Sequence, residues 1–495
     1  MSQWKRWRSI GIGLGVGLGV CLTGCNCARQ TGQTESGAVT ESGSEAVSET
    51  PGGSAEETQT TESPTIAPFP SEESSEAVTA ESETEEESEK DRYEWVNQIM
   101  IGTDLHYLAR SLTDGGPRFQ QMVEHGDGKV ETYIEPITDA FLDEVKERQP
   151  DVLILSGDLT LDGEKASHEE LAEKLYGVEQ SGVPVLVIPG NHDINNRQAA
   201  RFQGTERLPA EFTTPEEFRE IYRDFGYDEA IKKDLYSLSY VYELDSECWF
   251  LMLDTCQYKP IARVGGAISS ETYDWIEKVL EEADDNNVRV IPVAHHNLLD
   301  ESEIYVDDCT IEHGEQLVDI LDDWDVSLFL SGHLHVQHWK RSEENRGVME
   351  IVTSSLATPA CEYGMLSYYS DSSFSYKTQA IDMEGWAARS GRQEADLLNF
   401  NKFKEPFLRR VFYNQSYDAL KDVEELTEDQ KMQMSKLYSD LNYAYYQGTA
   451  YQIKDAVLND PDYSLWLDEG GGTELSEYVQ YILRDAKWDY NRVEN

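Results

Sequence analysis

Basic residues are scarce: 41 Lys and Arg stand against 95 Asp and Glu, which leaves a net charge of −54 over 495 residues. Such a surface repels polyanions at long range and argues against long nucleic acids as partners. A phosphate-bearing substrate then needs a local cationic centre, which metal ions can supply. Cysteine is sparse as well. The seven cysteines include no close CxxC pair, so neither a zinc ribbon nor a disulfide framework is expected, and Cys27, Cys248, Cys256, Cys309 and Cys361 read as scattered thiols. No G-x-S-x-G nucleophile elbow appears, which removes the main sequence ground for a covalent serine intermediate. The apolar run near the start, Ile10 to Val20, has eleven residues, short of the roughly 20 that span a bilayer.

That run follows the cationic stretch WKRWR and precedes Leu22-Thr23-Gly24-Cys25, so residues 1–24 read as a signal peptide. The tetrapeptide resembles the lipobox of bacterial lipoproteins. The resemblance implies cleavage before Cys25, lipidation of its sulfur, and an exported protein anchored by lipid to the outer face of a bacterial cell membrane. An ordinary secretory signal is the alternative. Residues 25–92 follow as an acidic linker; Thr31 to Lys90 holds sixteen glutamates against one lysine and too little apolar surface to offset ordering entropy. Sixty such residues span roughly 40 Å as a neutral coil, which suits a tether; an acidic binding tail is the competing reading.

From Tyr93 the pattern changes to short, nearly continuous apolar runs: QIMIGTD, DVLILSGD, VPVLVIPGNHD, CWFLMLDT, VRVIPVAHH, VSLFLSGHLH and GVMEIVTSS. Runs apolar on both faces predict central strands covered on each side. Helical spacing over Ile137–Gln149 and Glu271–Ala283, the second opened by Ser269 or Ser270, completes an α/β alternation. Residues 93–385 are therefore expected to form the main domain and 386–495 a helical C-terminal extension. There Thr427 and Gln430 suggest a capping box, a helix ends at Gly448, and another runs from Leu475 to about Lys487. The extension reads as a packing element, with a substrate-side lid as the alternative.

Polar groups cluster immediately after the apolar runs: Asp104-Leu105-His106, Gly157-Asp158, Gly190-Asn191-His192-Asp193, His295, and Gly332-His333-Leu334-His335. Ligands of open α/β sheets bind at the carboxyl ends of strands, so these groups can converge. Carboxylates, an amide oxygen and imidazoles suit borderline first-row transition ions, and there are enough for two. The ordered motifs D-x-H, GD, GNHD, H and GHxH resemble those of the calcineurin-like metallophosphoesterases, in particular their bacterial cyclic-nucleotide phosphodiesterase branch, over roughly Val96 to Asp382.

The resemblance implies a four-layer αββα sandwich and two divalent or trivalent ions (Fe, Mn or Zn). Asp104, His106, Asp158 and His335 would hold the first, and Asp158, Asn191, His295 and His333 the second. Family members often read H-x-P at the fourth cluster, where this chain has His295-His296-Asn297; the first histidine aligns with the family's ligand, and His296 is the substitute for His295. His192, oriented by Asp193, would assist the leaving group while a metal-activated hydroxide attacks a small phosphodiester such as a 3',5'-cyclic nucleotide. A broader phosphodiesterase or phosphomonoesterase is the nearest rival, and a non-catalytic surface-anchored binding protein on the same fold is the other. Outside the clusters, His125, His168, His313 and His338 read as surface or structural; Asp162-Gly163, just beyond Gly157-Asp158, reads as a turn, with a site role as the alternative. Tyr107, Tyr258, Tyr305 and Tyr363 are candidates for a base-stacking wall, although aromatic residues more often pack.

Overall fold

The computed structural model describes residues 95–495 except 305, 344–345 and 468–472. The signal, lipobox and linker expectations lie outside these residues, as does Tyr305.

Two mixed sheets carry the architecture. The first has six strands: β1 (Val96–Gly102), β2 (Val152–Leu155) and β3 (Val185–Val187) run parallel. The second has seven, including β6 (Lys232–Lys233), β7 (Tyr240–Asp245), β8 (Cys248–Leu253), β9 (Arg289–Ala294), β10 (Leu328–Ser331), β11 (His338–Glu343) and β12 (Arg346–Val352), in the order β11-β12-β10-β9-β8-β7-β6. A separate hairpin pairs β4 (Ala200–Gln203) with β5 (Glu206–Pro209). The first sheet is completed by β13 (Glu362–Tyr369), β14 (Phe374–Ala380) and β15 (Arg492–Glu494), giving the order β15-β14-β13-β1-β2-β3.

In the second sheet the parallel strands are central and antiparallel ones lie at both edges, whereas in the first the parallel strands β1, β2 and β3 form one end, with β3 at the edge, and the antiparallel strands form the other. This explains the unbroken apolar runs: all four residues of β2 and all six of β8 are buried. Period-two alternation along β8 then separates the layers. Cys248, Phe250 and Met252 join side chains of the first sheet in a shared core. Trp249, Leu251 and Leu253 instead meet Ile276, Leu280, Leu317 and Leu321.

The helices that matter here are α1 (Pro117–His125), α2 (Ile134–Arg148), α3 (Lys165–Glu179), α4 (Ser270–Asp285), α5 (Gly314–Asp323), α6 (Phe400–Leu420), α7 (Glu428–Tyr446) and α8 (Glu474–Asp485). Helices α4 and α5 cover the outer face of the second sheet, and α2 and α3 pack into the core of the first. The layering is αββα. Each fully buried Val, Leu, Ile or Phe contributes ~1.5–3 kcal/mol relative to exposure, so this core dominates the stability.

Local signals set the helix ends. Ser269 accepts a hydrogen bond from Thr272 N to start α4, and Thr427 with Gln430 forms the expected capping box of α7. Helix α2 starts one turn before Ile137, because Pro136 is tolerated in a first turn that needs no amide donor.

The C-terminal helices build a second core, in which Phe412, Met434, Leu441, Trp466 and Ile482 meet Leu334 and Val336 from the segment after β10. The chain does not end as a helix. Residues 492–494 return as β15 on β14, with Val493 buried, so the expected C-terminal helices are followed by a short edge strand of the first sheet. No described helix is long and apolar enough to cross a membrane.

Candidate metal centre

Every site residue leaves a strand at its carboxyl end: Asp104 and His106 after β1, Asp158 after β2, Asn191 and His192 after β3, His295 after β9, and His333 and His335 after β10. Five of them turn sharply. Asp104 (φ 51°), His106 (45°), Asp158 (47°), His333 (73°) and His335 (60°) all occupy the left-handed region. Non-glycine residues there cost of order 1–3 kcal/mol each and persist only where their surroundings over-determine them. The determinants are hydrogen bonds: Asp104 N to Gly157 O (3.1 Å), His106 N to Asp158 O (3.0 Å), and His333 N to Asp104 Oδ2 (3.0 Å).

The glycines of the motifs also have a physical basis. A Cβ on Gly157 (φ 98°) would lie 2.6 Å from His295 Nδ1, and one on Gly190 would lie 2.1 Å from Asp158 N and 2.2 Å from its Oδ1. Any side chain at either position would collide with a donor residue or its backbone.

The ligating atoms of Asp104, His106, Asp158 and His335 all lie within 4.8 Å of one another. His335 Nε2 is 3.3 Å from Asp104 Oδ1, and His106 Nε2 is 3.0 Å from His335 Nε2 and 3.8 Å from Asp158 Oδ2. On the other side of that same Oδ2, His295 Nε2 stands at 3.4 Å, itself 3.1 Å from both Asn191 Oδ1 and His333 Nδ1. One carboxylate oxygen therefore faces two groups of donors.

These residues fit a pair of transition ions. Asp104 Oδ1 is buried without a hydrogen bond, and imidazole nitrogens face one another at 3.0–3.1 Å, an arrangement that a shared cation satisfies. His295 Nδ1 faces Ser156 O at 2.9 Å and His333 Nε2 faces Asp308 O at 2.9 Å; donation to these carbonyls turns the opposite lone pairs inward. The electrostatics agree. Burial works against ionisation of Asp158, yet the His295 and His192 imidazoles hold it well below the ordinary carboxylate range. Burial and then the neighbouring His295 push His333 down to about 3, so it is a neutral donor at physiological pH.

His296 takes a different part. Its Nδ1 lies 2.7 Å from Thr255 Oγ1 and its Nε2 2.7 Å from Val264 O, so both ring nitrogens are engaged and the ring packs against His333. Proximity alone groups it with His295 and His333, whereas nitrogen direction singles out His295.

His192 stands beside His106, with ring centroids 4.9 Å apart, and its Nε2 is 3.9 Å from Asp158 Oδ2. Its Nδ1 faces Leu161 O at 2.7 Å and Asp162 Oδ1 at 3.3 Å. The expectation that Asp193 orients His192 is corrected. The Asp193 carboxylate accepts from the backbone N–H of Gly190, Leu159 and Thr160 and from Thr160 Oγ1, at 2.8–3.0 Å, and so pins the β3 turn to the β2 turn. Adjacent residues in a turn point apart, and the acid beside His192 arrives from another strand end. Asp162, read as a turn residue, does occupy the turn before Gly163 and also supplies that acid, with Arg207 Nη2 3.4 Å from its other oxygen.

Other expectations fell unevenly. His125 and His313 are exposed. His168 and His338 are buried, the first between Tyr222 OH and Thr160 Oγ1, the second between Glu301 and Asp485. Tyr107 and Tyr363 are buried with their hydroxyls on Glu170 and Glu144, and Tyr258 bonds Asp254, so these three pack rather than line a wall.

Residues 98–337 match the family model described as calcineurin-like phosphoesterase. This stretch is a calcineurin-like phosphoesterase domain. Residues 382–489, beyond the phosphoesterase domain, match the C-terminal domain of cyclic nucleotide phosphodiesterase. The chain is 28% identical over 202 residues to a probable cyclic nucleotide phosphodiesterase of Synechococcus, which covers 40% of this chain and 64% of that protein. It is 40% identical over 63 residues to a probable cyclic nucleotide phosphodiesterase of Vesicomyosocius okutanii, covering 13% of this chain and 25% of the relative. The matches thus span less than two thirds of these relatives. Among solved structures, a dimetal phosphatase from Danio rerio is 13% identical, with 58% of this chain and 96% of that one covered at a TM-score of 0.42. A purple acid phosphatase from yellow lupin is 14% identical, with 58% and 52% covered at a TM-score of 0.37.

Proposed function

We propose that this protein is a dinuclear-metal phosphodiesterase acting on small phosphodiesters, with 3',5'-cyclic nucleotides as the leading substrate class. The observation that carries the proposal is the position of Asp158 Oδ2, 3.8 Å from His106 Nε2 on one side and 3.4 Å from His295 Nε2 on the other. The cyclic-nucleotide assignment leans on the match of residues 382–489 and on the names of the sequence relatives.

Asp104, His106, Asp158 and His335 would hold one ion, and Asp158, Asn191, His295 and His333 the other. Bound there, the pair supplies charge neutralisation for the phosphoryl oxygens and an activated water for in-line displacement. The remaining work falls to side chains. His192 presents Nε2 toward the centre, where a protonated imidazole stabilises or protonates the leaving oxygen, an effect typically worth about 10²–10⁴ in rate. Asp162, 3.3 Å from Nδ1, favours that protonated form. Asp193 keeps the two turns in register and so sets where His192 stands.

A net charge of −54 disfavours long polyanions and leaves small diesters as the better fit. We also infer from residues 1–25 an exported chain anchored through lipid on Cys25, so that the enzyme meets extracellular esters; mass spectrometry of the membrane-fraction protein checks for diacylglyceryl at that residue.

The test is turnover by the metal-loaded full chain against cyclic nucleotides, simple diesters and monoesters, with Asp158→Asn as control. Preferential cleavage of cyclic nucleotides is expected. A preference for monoesters overturns the substrate assignment, and metal binding without turnover favours the binding-protein reading.

A further inference from the structure

The β4–β5 hairpin stands against the acid that reaches His192. Its strands pair Ala200 with Pro209 and Phe202 with Arg207, and contacts at both ends hold it in place. At its start the buried Glu164 carboxylate accepts from Ala200 N (3.2 Å) and, through its other oxygen, from Asp162 N (3.0 Å), so one side chain ties the hairpin to the Asp162 turn. At its tip Gly204 N donates to Asp114 Oδ2 (2.8 Å), and Gly204 O accepts from Arg118 N of α1 (2.9 Å). Phe202 is buried against Phe119 of the same helix, ring centroids 5.7 Å apart.

This frame presents Arg207 to the site. Its Nη2 lies 3.4 Å from Asp162 Oδ2 and also donates to Gln198 O. Asp162 Oδ1 is 3.3 Å from His192 Nδ1, and His192 Nε2 is 3.9 Å from Asp158 Oδ2. The side chains thus form an unbroken line from the hairpin to the metal centre. Stability does not account for the first pair: Arg207 is 33% and Asp162 20% exposed, and ion pairs so open to water contribute little. Orientation does. Leu161 O, 2.7 Å from the same Nδ1, fixes the tautomer of His192 but carries no charge, so the charge that supports an imidazolium comes from Asp162. A carboxylate held by one oxygen alone can turn away; a guanidinium on Oδ2, itself fixed by Gln198 O, keeps Oδ1 on the ring.

We propose that Arg207 is a positioning residue: by holding Oδ2 of Asp162 it aims Oδ1 at His192, and so sets how well His192 serves substrates whose leaving oxygen needs a proton. The inference rests on the phosphodiesterase reading above. As the P–O bond breaks, its electron pair stays on the leaving oxygen, which takes the Nε2 proton of His192. Arg207 touches neither the substrate nor that proton and acts through the acid.

Arg207→Met in the Mn²⁺-loaded full chain should lower kcat about 5-fold for 3',5'-cyclic AMP, whose leaving group is an alkoxide, with KM, metal content and urea midpoint unchanged. Bis(4-nitrophenyl) phosphate, whose phenolate leaves without a proton, should be hydrolysed at the unaltered rate. If the unaltered chain prefers monoesters, glycerol 2-phosphate against 4-nitrophenyl phosphate makes the same comparison. Arg207→Lys should recover part of the loss. The double variant Arg207→Met/Asp162→Asn should be no slower than Asp162→Asn alone, because the arginine works through that carboxylate. No loss on the alkoxide ester, or an equal loss on both leaving groups, overturns the inference. Losses that multiply in the double variant overturn it too, since they mean that the arginine grips the substrate directly. Should Arg207→Met not fold, Arg207→Gln carries the same comparison. An unaltered chain that hydrolyses no phosphoester removes the proposed function and this inference with it, whereas an active chain that fails the leaving-group comparison removes the arginine alone.

Discussion

His338→Gln is the perturbation that most directly probes how the C-terminal helices support the metal centre. His338 begins β11; its Nδ1 meets Glu301 and its Nε2 lies 3.0 Å from Asp485 at the end of α8, with the Tyr490 ring packed over it at 4.0 Å. Burial works to lower its basicity, but the Asp485 and Glu301 carboxylates outweigh that and raise it from 6.5 to about 10. A folded-state value above the unfolded one contributes stability that is complete below pH 6.5 and is lost as pH rises through 10. The shift sets a ceiling of about 5 kcal/mol. Removing one partner of a buried ion pair typically costs about 3–5 kcal/mol, and Asp485, 15% exposed, places this case at the lower end. Glutamine has similar reach without the charge. Urea denaturation of both proteins at several pH values should therefore show a gap of about 3 kcal/mol at pH 6 that narrows steadily toward pH 10. A gap independent of pH refutes the charge argument, and no gap at pH 6 refutes the structural one. There is also a functional reading. The chain runs from Glu301 to Asp308, whose carbonyl faces His333 Nε2, so the variant should need more metal for half-maximal activity and recover in excess metal.

Further outcomes follow from the same geometry. His192→Gln should keep both ions yet lose about 10²–10⁴ in kcat; Asp162→Asn should cost about 10-fold and move the alkaline limb of the pH–rate profile to lower pH, whereas Asp193→Asn should act first on stability, read by denaturation, because its oxygens anchor backbone N–H groups. Gly190→Ala puts a methyl group 2.1–2.2 Å from Asp158, so it should yield folded protein with depleted metal or no soluble protein; normal metal content and turnover would show the turn to be more pliable than its contacts imply. Chelation should abolish turnover and lower the melting temperature, with both restored by Mn²⁺, because the buried Asp104 and Asp158 lose their cationic partner; an unchanged melting curve would mean that the ions contribute nothing to the fold.

Much of this was legible from the chain alone, for identifiable reasons. Strands buried on both faces write themselves as continuous apolar runs, as in Val152–Leu155 and Cys248–Leu253, and a polar cluster after such a run marks a carboxyl end. What stayed hidden depends on direction in space. His192 and Asp193 are neighbours in sequence and face different ways, whereas the acid that reaches His192 lies thirty positions earlier at Asp162. The pairing of His338 with Asp485 spans 147 residues, and β15 is three residues long, too short for any periodicity to announce it. The left-handed backbone at five donor positions has no compositional signal, since aspartate and histidine occur there for their chemistry. The spacing of a further acid four residues after Asp158 was the one available hint of Asp162.

The central claim is that one carboxylate, Asp158, joins two metal sites into a single centre. Elemental analysis of the loaded, gel-filtered chain, run in parallel with Asp158→Asn, tests it most directly. Two transition ions per chain, falling to one or none in the variant with turnover lost, is the predicted result; a single ion in the unaltered protein, or two retained after the substitution, would contradict it.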